Sequence, residues 1–89
     1  MKEPPNRELI DKAIRASIAD TLDMPMSDIR SDVDIGEYGA DSLVVALIAG
    51  DMEKKFGIPV PDSDDINGLS TINDLTTYFL GTALKVNTP

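Results

Sequence analysis

The chain has 89 residues and a formal net charge of −8, with 16 Asp and Glu against 8 Lys and Arg. It has no cysteine and no histidine, which excludes thiolate nucleophiles, disulfides, Cys/His zinc sites and the usual general base near neutral pH. So acidic a surface is a poor partner for DNA, RNA or anionic membranes and a good one for basic patches on other proteins.

A chain of this length makes one domain, burying roughly 60% of the surface it would expose unfolded. No charged-then-apolar leader begins it. The longest apolar stretch, Leu43 to Gly50, falls far short of the ~18 residues of a membrane span. A monomeric, cytoplasmic protein is the expectation.

Taken in chain order, Met1 to Pro5 reads as a frayed end, and Pro4-Pro5 resists helix. Asn6 suits an N-cap, with Glu8 in the first turn. Leu9, Ile10, Ala13, Ile14, Ser17, Ile18 and Leu22 then fall at helical spacing, predicting a first helix over about 7–22 that ends before Pro25. A long connection follows, 23–40, with scattered apolar residues to pin it to the core and two glycines; loops of this length inside a compact domain are often functional. Seven carboxylates between Asp20 and Asp41 face Arg30 alone, a local net of −6. A solvated loop is the plain account of such a run; its position just before Ser42 suggests a recognition surface.

A second helix is predicted over 42–56, capped by Asp41 and terminated by Gly57 and Pro59. It carries two apolar stripes: Val45, Ile48, Ala49, Met52 and Phe56, and beside it Leu43, Ala46, Leu47 and Gly50. One stripe must face the core; the other is wider than a surface helix needs. Ile58 to Pro61 is extended, and 62–67 forms at most a short helical turn. Thr71-Ile72-Asn73-Asp74 resembles a capping box, with Asp in place of Glu. It opens a last helix with Ile72, Leu75 and Phe79 on one face, closed by Gly81. The expectation is an all-α protein: a small four-helix bundle with a short third helix and a long loop between helices one and two. Residues 1–6 form a frayed terminus, 7–81 the folded unit and 82–89 a flexible tail.

Ser42 is the residue with chemistry. It stands where the flexible Gly39 loop enters the second helix, its hydroxyl facing solvent and unpaired backbone N–H groups nearby. A phosphate ester there would be held electrostatically by the helix N-terminus. Most serines at a helix start are merely caps, but Asp41 already supplies that function. With no His or Lys near it in sequence, Ser42 lacks an activator; it fits a passive acceptor modified by another enzyme, not a catalytic nucleophile.

Gly39-Ala40-Asp41-Ser42-Leu43, followed in register by Lys55-Phe56-Gly57-Ile58-Pro59-Val60-Pro61-Asp62 and by Thr71-Ile72-Asn73-Asp74, closely resembles acyl carrier proteins. The likeness covers about Leu9 to Leu80. It implies that Ser42 carries 4′-phosphopantetheine, transferred from coenzyme A by a separate phosphopantetheinyl transferase with Mg²⁺. The arm's thiol would hold an acyl chain as a thioester for acyltransferase, ketosynthase or other acyl-processing partners of fatty-acid or polyketide biosynthesis. The chain would then be a carrier and not itself an enzyme. Asp41 would cap the helix and present Ser42, and Leu43 would belong to the docking surface. Val45, Ile48, Met52, Phe56 and Ile72 would be candidates to line a shelter for the acyl chain, although they serve equally as ordinary core.

The departures concern helix two. Many fatty-acid carriers place glutamates along it; here Val44, Val45, Leu47, Gly50 and Asp51 stand there, with Glu53 retained and Lys54 where another acid is common. The Leu43, Ala46, Leu47 and Gly50 stripe implies partners that dock by apolar contact more than by charge, in a specialised pathway. The competing account packs Val44 and Leu47 under the long loop. Tyr38 stands where leucine is usual and carries no functional reading. Two rival readings stay open: a peptidyl or aminoacyl carrier with an amino-acid cargo, or an unmodified carrier fold acting as an interaction subunit.

Ser63 to Asp74 loosely matches a calcium loop, but the first ligand is Ser, the last is Asp and Pro59 and Pro61 forbid the incoming helix. No metal site is expected. The Asp64-Asp65 pair reads as solvated acid, not as acid–base machinery.

Overall fold

The computed structural model describes residues 6–66 and 68–86. The expected fraying of Met1 to Pro5 lies outside them. Four helices run in the predicted order: α1 (Arg7–Leu22), α2 (Ser42–Phe56), α3 (Ser63–Ile66) and α4 (Ile72–Val86). The chain is an all-α bundle in which α1 packs on both α2 and α4.

The ends of the helices follow from local chemistry. Asn6 Oδ1 accepts the Leu9 N–H at 2.9 Å and starts α1. Asp23, left-handed at φ 55°, ends it. Gly57, at φ 69°, ends α2 by turning its N–H back on Glu53 O, and the Ile58 N–H reaches Met52 O; a residue with a Cβ would be strained there. At the start of α4, Thr71 Oγ1 accepts the Asp74 N–H, while Asp74 Oδ2 accepts the N–H groups of Ser70 and Thr71. That reciprocal arrangement is the predicted capping box. It also commits Asp74, the last ligand of the loose calcium pattern, to the backbone.

The core draws Ile10, Ile14 and Ile18 from α1, Ile48 and Met52 from α2, and Ile72, Leu75 and Phe79 from α4; all eight are fully buried. Ile29 and Ile35 pin the long connection to this core, as their apolar character predicts.

Two expectations need correction. Gly81 does not close the last helix: α4 continues to Val86, so 82–86 are helical and Ala83 is buried. Gly81 is exposed on the far side of a helix held by core contacts before and after it, and tertiary packing outweighs its poor propensity. Within α2, Val44 and not Val45 is buried. By helical angle Val45 lies near the middle of the core stripe, but at this end of the bundle that direction opens onto a cleft.

Candidate functional site

The cleft lies between the end of the long connection, the first turns of α2 and the segment before α4. It holds about 270 Å³. Ile35, Ala40, Val45, Ile66 and Leu69 give it apolar walls, while Asp34, Asp41, Ser42 and Ser70 border it with polar groups.

Backbone bonds fix its two sides relative to one another. The Ile35 N–H donates to Ser70 O at 2.8 Å, the Asn73 N–H to Ser31 O at 2.9 Å, and Asp34 bridges antiparallel to Thr71. Side chains hold the connection from behind. Ser31 Oγ donates to Asp11 Oδ2 on α1 at 2.6 Å. The Tyr38 hydroxyl accepts the Arg30 N–H at 2.7 Å and donates to Arg30 O at 3.4 Å. A leucine at position 38 could make neither bond, so Tyr38 is a brace for the turn that delivers Ser42; its hydroxyl is the signal that sequence reading passed over.

Gly39, at φ 82°, turns the chain out of a short 3-10 segment over Ile35–Tyr38. Asp41 then enters in extended conformation, and its Oδ1 accepts the N–H groups of Leu43 at 3.1 Å and Val44 at 3.2 Å. The cap is therefore Asp41, as predicted, and Ser42 is not needed for it. The same geometry revises the electrostatics. Two N–H groups expected to face an anion already serve the Asp41 carboxylate, which puts its own negative charge at the helix start. The helix start beside Ser42 is therefore not an open anion cradle.

The chain has six serines. Ser17 is buried and donates to Asp51 Oδ2 at 2.7 Å, and Ser31 is bonded to Asp11. Ser27, Ser70 and Ser42 are exposed, with no hydrogen-bond partner for the hydroxyl among the described residues; Ser42 is set apart by its position. It stands at the cleft and at the first position of a 15-residue helix.

The family model described as the phosphopantetheine attachment site matches residues 12–79. The acyl carrier protein of Thermotoga maritima is 31% identical over 75 residues, covering 83% of this chain and 91% of that protein. This chain belongs to the acyl carrier protein family. The Exiguobacterium sibiricum acyl carrier protein is 34% identical over 74 residues, covering 82% of this chain and 92% of its own length. A third relative is far larger. The 3-methylorcinaldehyde synthase of Talaromyces stipitatus is 36% identical over 78 residues, which cover 88% of this chain but 3% of the synthase. No solved structure matches this chain significantly. The family is one of carriers bearing phosphopantetheine, and membership makes this chain an acyl carrier.

The expected docking residues share one side of the carrier's α2. Leu43 is 68% exposed and Leu47 48%; Ala46 and Glu53 are exposed, and Gly50 is half-buried. Of the two residues suggested to pack under the loop, Val44 is buried and Leu47 is not. Asp51 faces Ser17 across the α1–α2 contact. Of the expected shelter residues, only Val45 borders the cleft; Ile48, Met52, Phe56 and Ile72 are buried in the core cluster. Ile35, Ala40, Ile66 and Leu69 were not anticipated as cleft walls, because they come from segments whose approach depends on the bridge between Asp34 and Thr71. Among the described residues no group of acidic side chains could hold a metal ion, and no helix is long and apolar enough to cross a membrane.

Proposed function

We propose that Ser42 is the residue that bears the phosphopantetheine arm. The observation that carries this is the position of its exposed, unbonded hydroxyl, at the first position of the 15-residue α2 and at the mouth of a cleft with apolar walls. When bound, the arm supplies the thiol that a chain without cysteine lacks, and it carries the acyl group as a thioester. Asp41 holds the first turn so that the Ser42 hydroxyl points outward to a transferase. Tyr38 and the Asp34–Thr71 bridge keep the approach to Ser42 fixed. Val45, Ile66 and Leu69 offer apolar cover to the first atoms of a cargo folded back from Ser42. The chain performs no acyl chemistry itself; separate transferase, acyltransferase and ketosynthase-type enzymes act on it.

We further propose that those enzymes dock on Leu43, Ala46 and Leu47, more by apolar contact than by charge steering. Support comes from two large apolar side chains left exposed on one face of α2, a patch without structural purpose in the free carrier. This points to a specialised fatty-acid or polyketide-type pathway.

Intact-mass measurement after incubation with a phosphopantetheinyl transferase, Mg²⁺ and coenzyme A tests the attachment. Wild type gains one phosphopantetheine and Ser42→Ala gains none; equal gain by both defeats the assignment. For docking, Leu47→Glu weakens binding to a cognate ketosynthase, whereas raising salt changes wild-type binding little. A steep salt dependence, or a Leu47→Glu variant that binds as wild type does, sinks the apolar account.

A further inference from the structure

The basic residues of this acidic chain are gathered away from Ser42. Five of the eight lie on two neighbouring segments: Arg7, Lys12 and Arg15 in α1, and Lys54 and Lys55 in the last turn of α2. Lys55 is 13 positions beyond Ser42, about 20 Å along the helix. Between the two segments lies a groove of about 250 Å³. Ala13 and Ala16 make room for it by contributing only methyl groups, and Leu9 and Phe56 supply its other apolar walls.

Lys12 and Lys55 stand on its rim, both exposed. Neither has an ion-pair or hydrogen-bond partner among the described residues, whereas Arg15 beside them is paired with Asp11 at 2.8 Å. Glu8 and Asp51 stand one turn before Lys12 and Lys55, yet no ion pair joins them to these lysines among the described residues, and Asp51 instead accepts from Ser17.

We propose that the α1–α2 groove is a second docking surface, whose occupant is an acidic amphipathic helix of a partner protein. An apolar side chain of that helix seats against Ala13, Ala16 and Phe56. Carboxylates a turn to either side of it pair with Lys12 and Lys55. Local charge selects this occupant: the charged residues lining the groove are Lys12 and Lys55, which suit the carboxylates of a single short helix, whereas a second copy, nucleic acid or an anionic bilayer extends beyond the groove and meets the net −8 of the whole chain. The distance from Ser42 gives the surface its use. A partner held here leaves the Ser42 end of α2 free, so the carrier is tethered near a set of enzymes while its arm visits each, at the high effective concentration that tethering confers. The proposal is independent of modification at Ser42.

The test is a titration of the full-length ¹⁵N-labelled Ser42→Ala chain with a synthetic amphipathic peptide. The peptide has leucines at positions i, i+3, i+4 and i+7 flanked by glutamates; a control peptide carries lysines in place of the glutamates. Saturable amide shifts at Leu9, Lys12, Ala16 and Lys55 are expected with the acidic peptide alone. K12E/K55E weakens its binding about tenfold or more, since two exposed ion pairs are lost and two repulsions gained. Ala16→Phe fills the groove and weakens binding with both lysines intact. The proposal is overturned by absence of saturable binding, by shifts centred on Leu43 and Leu47, by K12E/K55E binding as tightly as its parent, or by anionic lipid vesicles producing the groove shifts that the peptide does not.

Discussion

Replacing Asp41 by alanine separates presentation of Ser42 from attachment to it. The Asp41 carboxylate accepts two N–H groups of the first turn of α2, at 3.1 and 3.2 Å. Loss of an N-cap acceptor costs about 1 kcal/mol, and loss of a negative charge beside the positive end of the helix costs about 0.5 kcal/mol more. Asp41 is exposed, so water recovers part of the lost bonding and the total stays near 1.5 kcal/mol. For a domain of this size each kcal/mol moves Tm by about 4–8 °C, so Asp41→Ala melts roughly 6–12 °C below wild type. Asp41→Asn keeps the oxygen acceptor and loses only the charge, so it falls by no more than about 4 °C. Thermal unfolding followed by circular dichroism at low salt reads all three. Equal Tm values for Ala and wild type refute the capping account. An Asn variant that falls as far as Ala refutes the division between bonding and charge.

Other consequences follow from the core and from α4. Gly81→Ala stabilises the protein by about 1 kcal/mol, because a Cβ there meets nothing within 4 Å; a lower Tm would place Gly81 at the helix end after all. Thr76 is fully buried and its Oγ1 has no hydrogen-bond partner among the described residues, so Thr76→Val, which removes the hydroxyl at nearly constant shape, raises stability by about 1 kcal/mol in a chemical denaturation series. A loss of stability would reveal a partner for the hydroxyl. Asp74 has its pKa lowered by the N–H of Ser70 first and of Thr71 next. A depressed folded-state pKa means that its contribution is complete above the ordinary carboxylate value near 4 and fades as pH falls through the folded value. The Tm gap between wild type and Asp74→Ala is therefore full at neutral pH and closes in acid; a gap that widens in acid contradicts the capping box.

The helices were legible in the sequence wherever a local device fixes an end. Asn6, Asp41, Gly57 and the Thr71–Asp74 pair each announce a boundary through chemistry within four residues. Gly81 misled because its meaning depends on Ala83, whose burial comes from contact with the rest of the bundle. Val44 and Val45 are neighbours of equal hydrophobicity, and which of them is buried is decided by where the facing segments stop. The site divides in the same way. Ser42 and Asp41 are marked by their spacing from the helix start. The cleft beside them is not, because it exists only once Asp34 meets Thr71 and brings Ile66 and Leu69 opposite Val45. The brace from Tyr38 to Arg30 spans eight positions of an irregular segment, beyond the reach of any periodic pattern.

The most direct test of the central claim is the location of the modification. Trypsin releases residues 31–54 as one peptide, bounded by Arg30 and Lys54, with Ser31 and Ser42 as its two serines. After treatment with transferase, Mg²⁺ and coenzyme A, fragmentation of that peptide is predicted to place the phosphopantetheine on Ser42, at one group per chain. Attachment at Ser31, or on any peptide outside 31–54, would contradict the account.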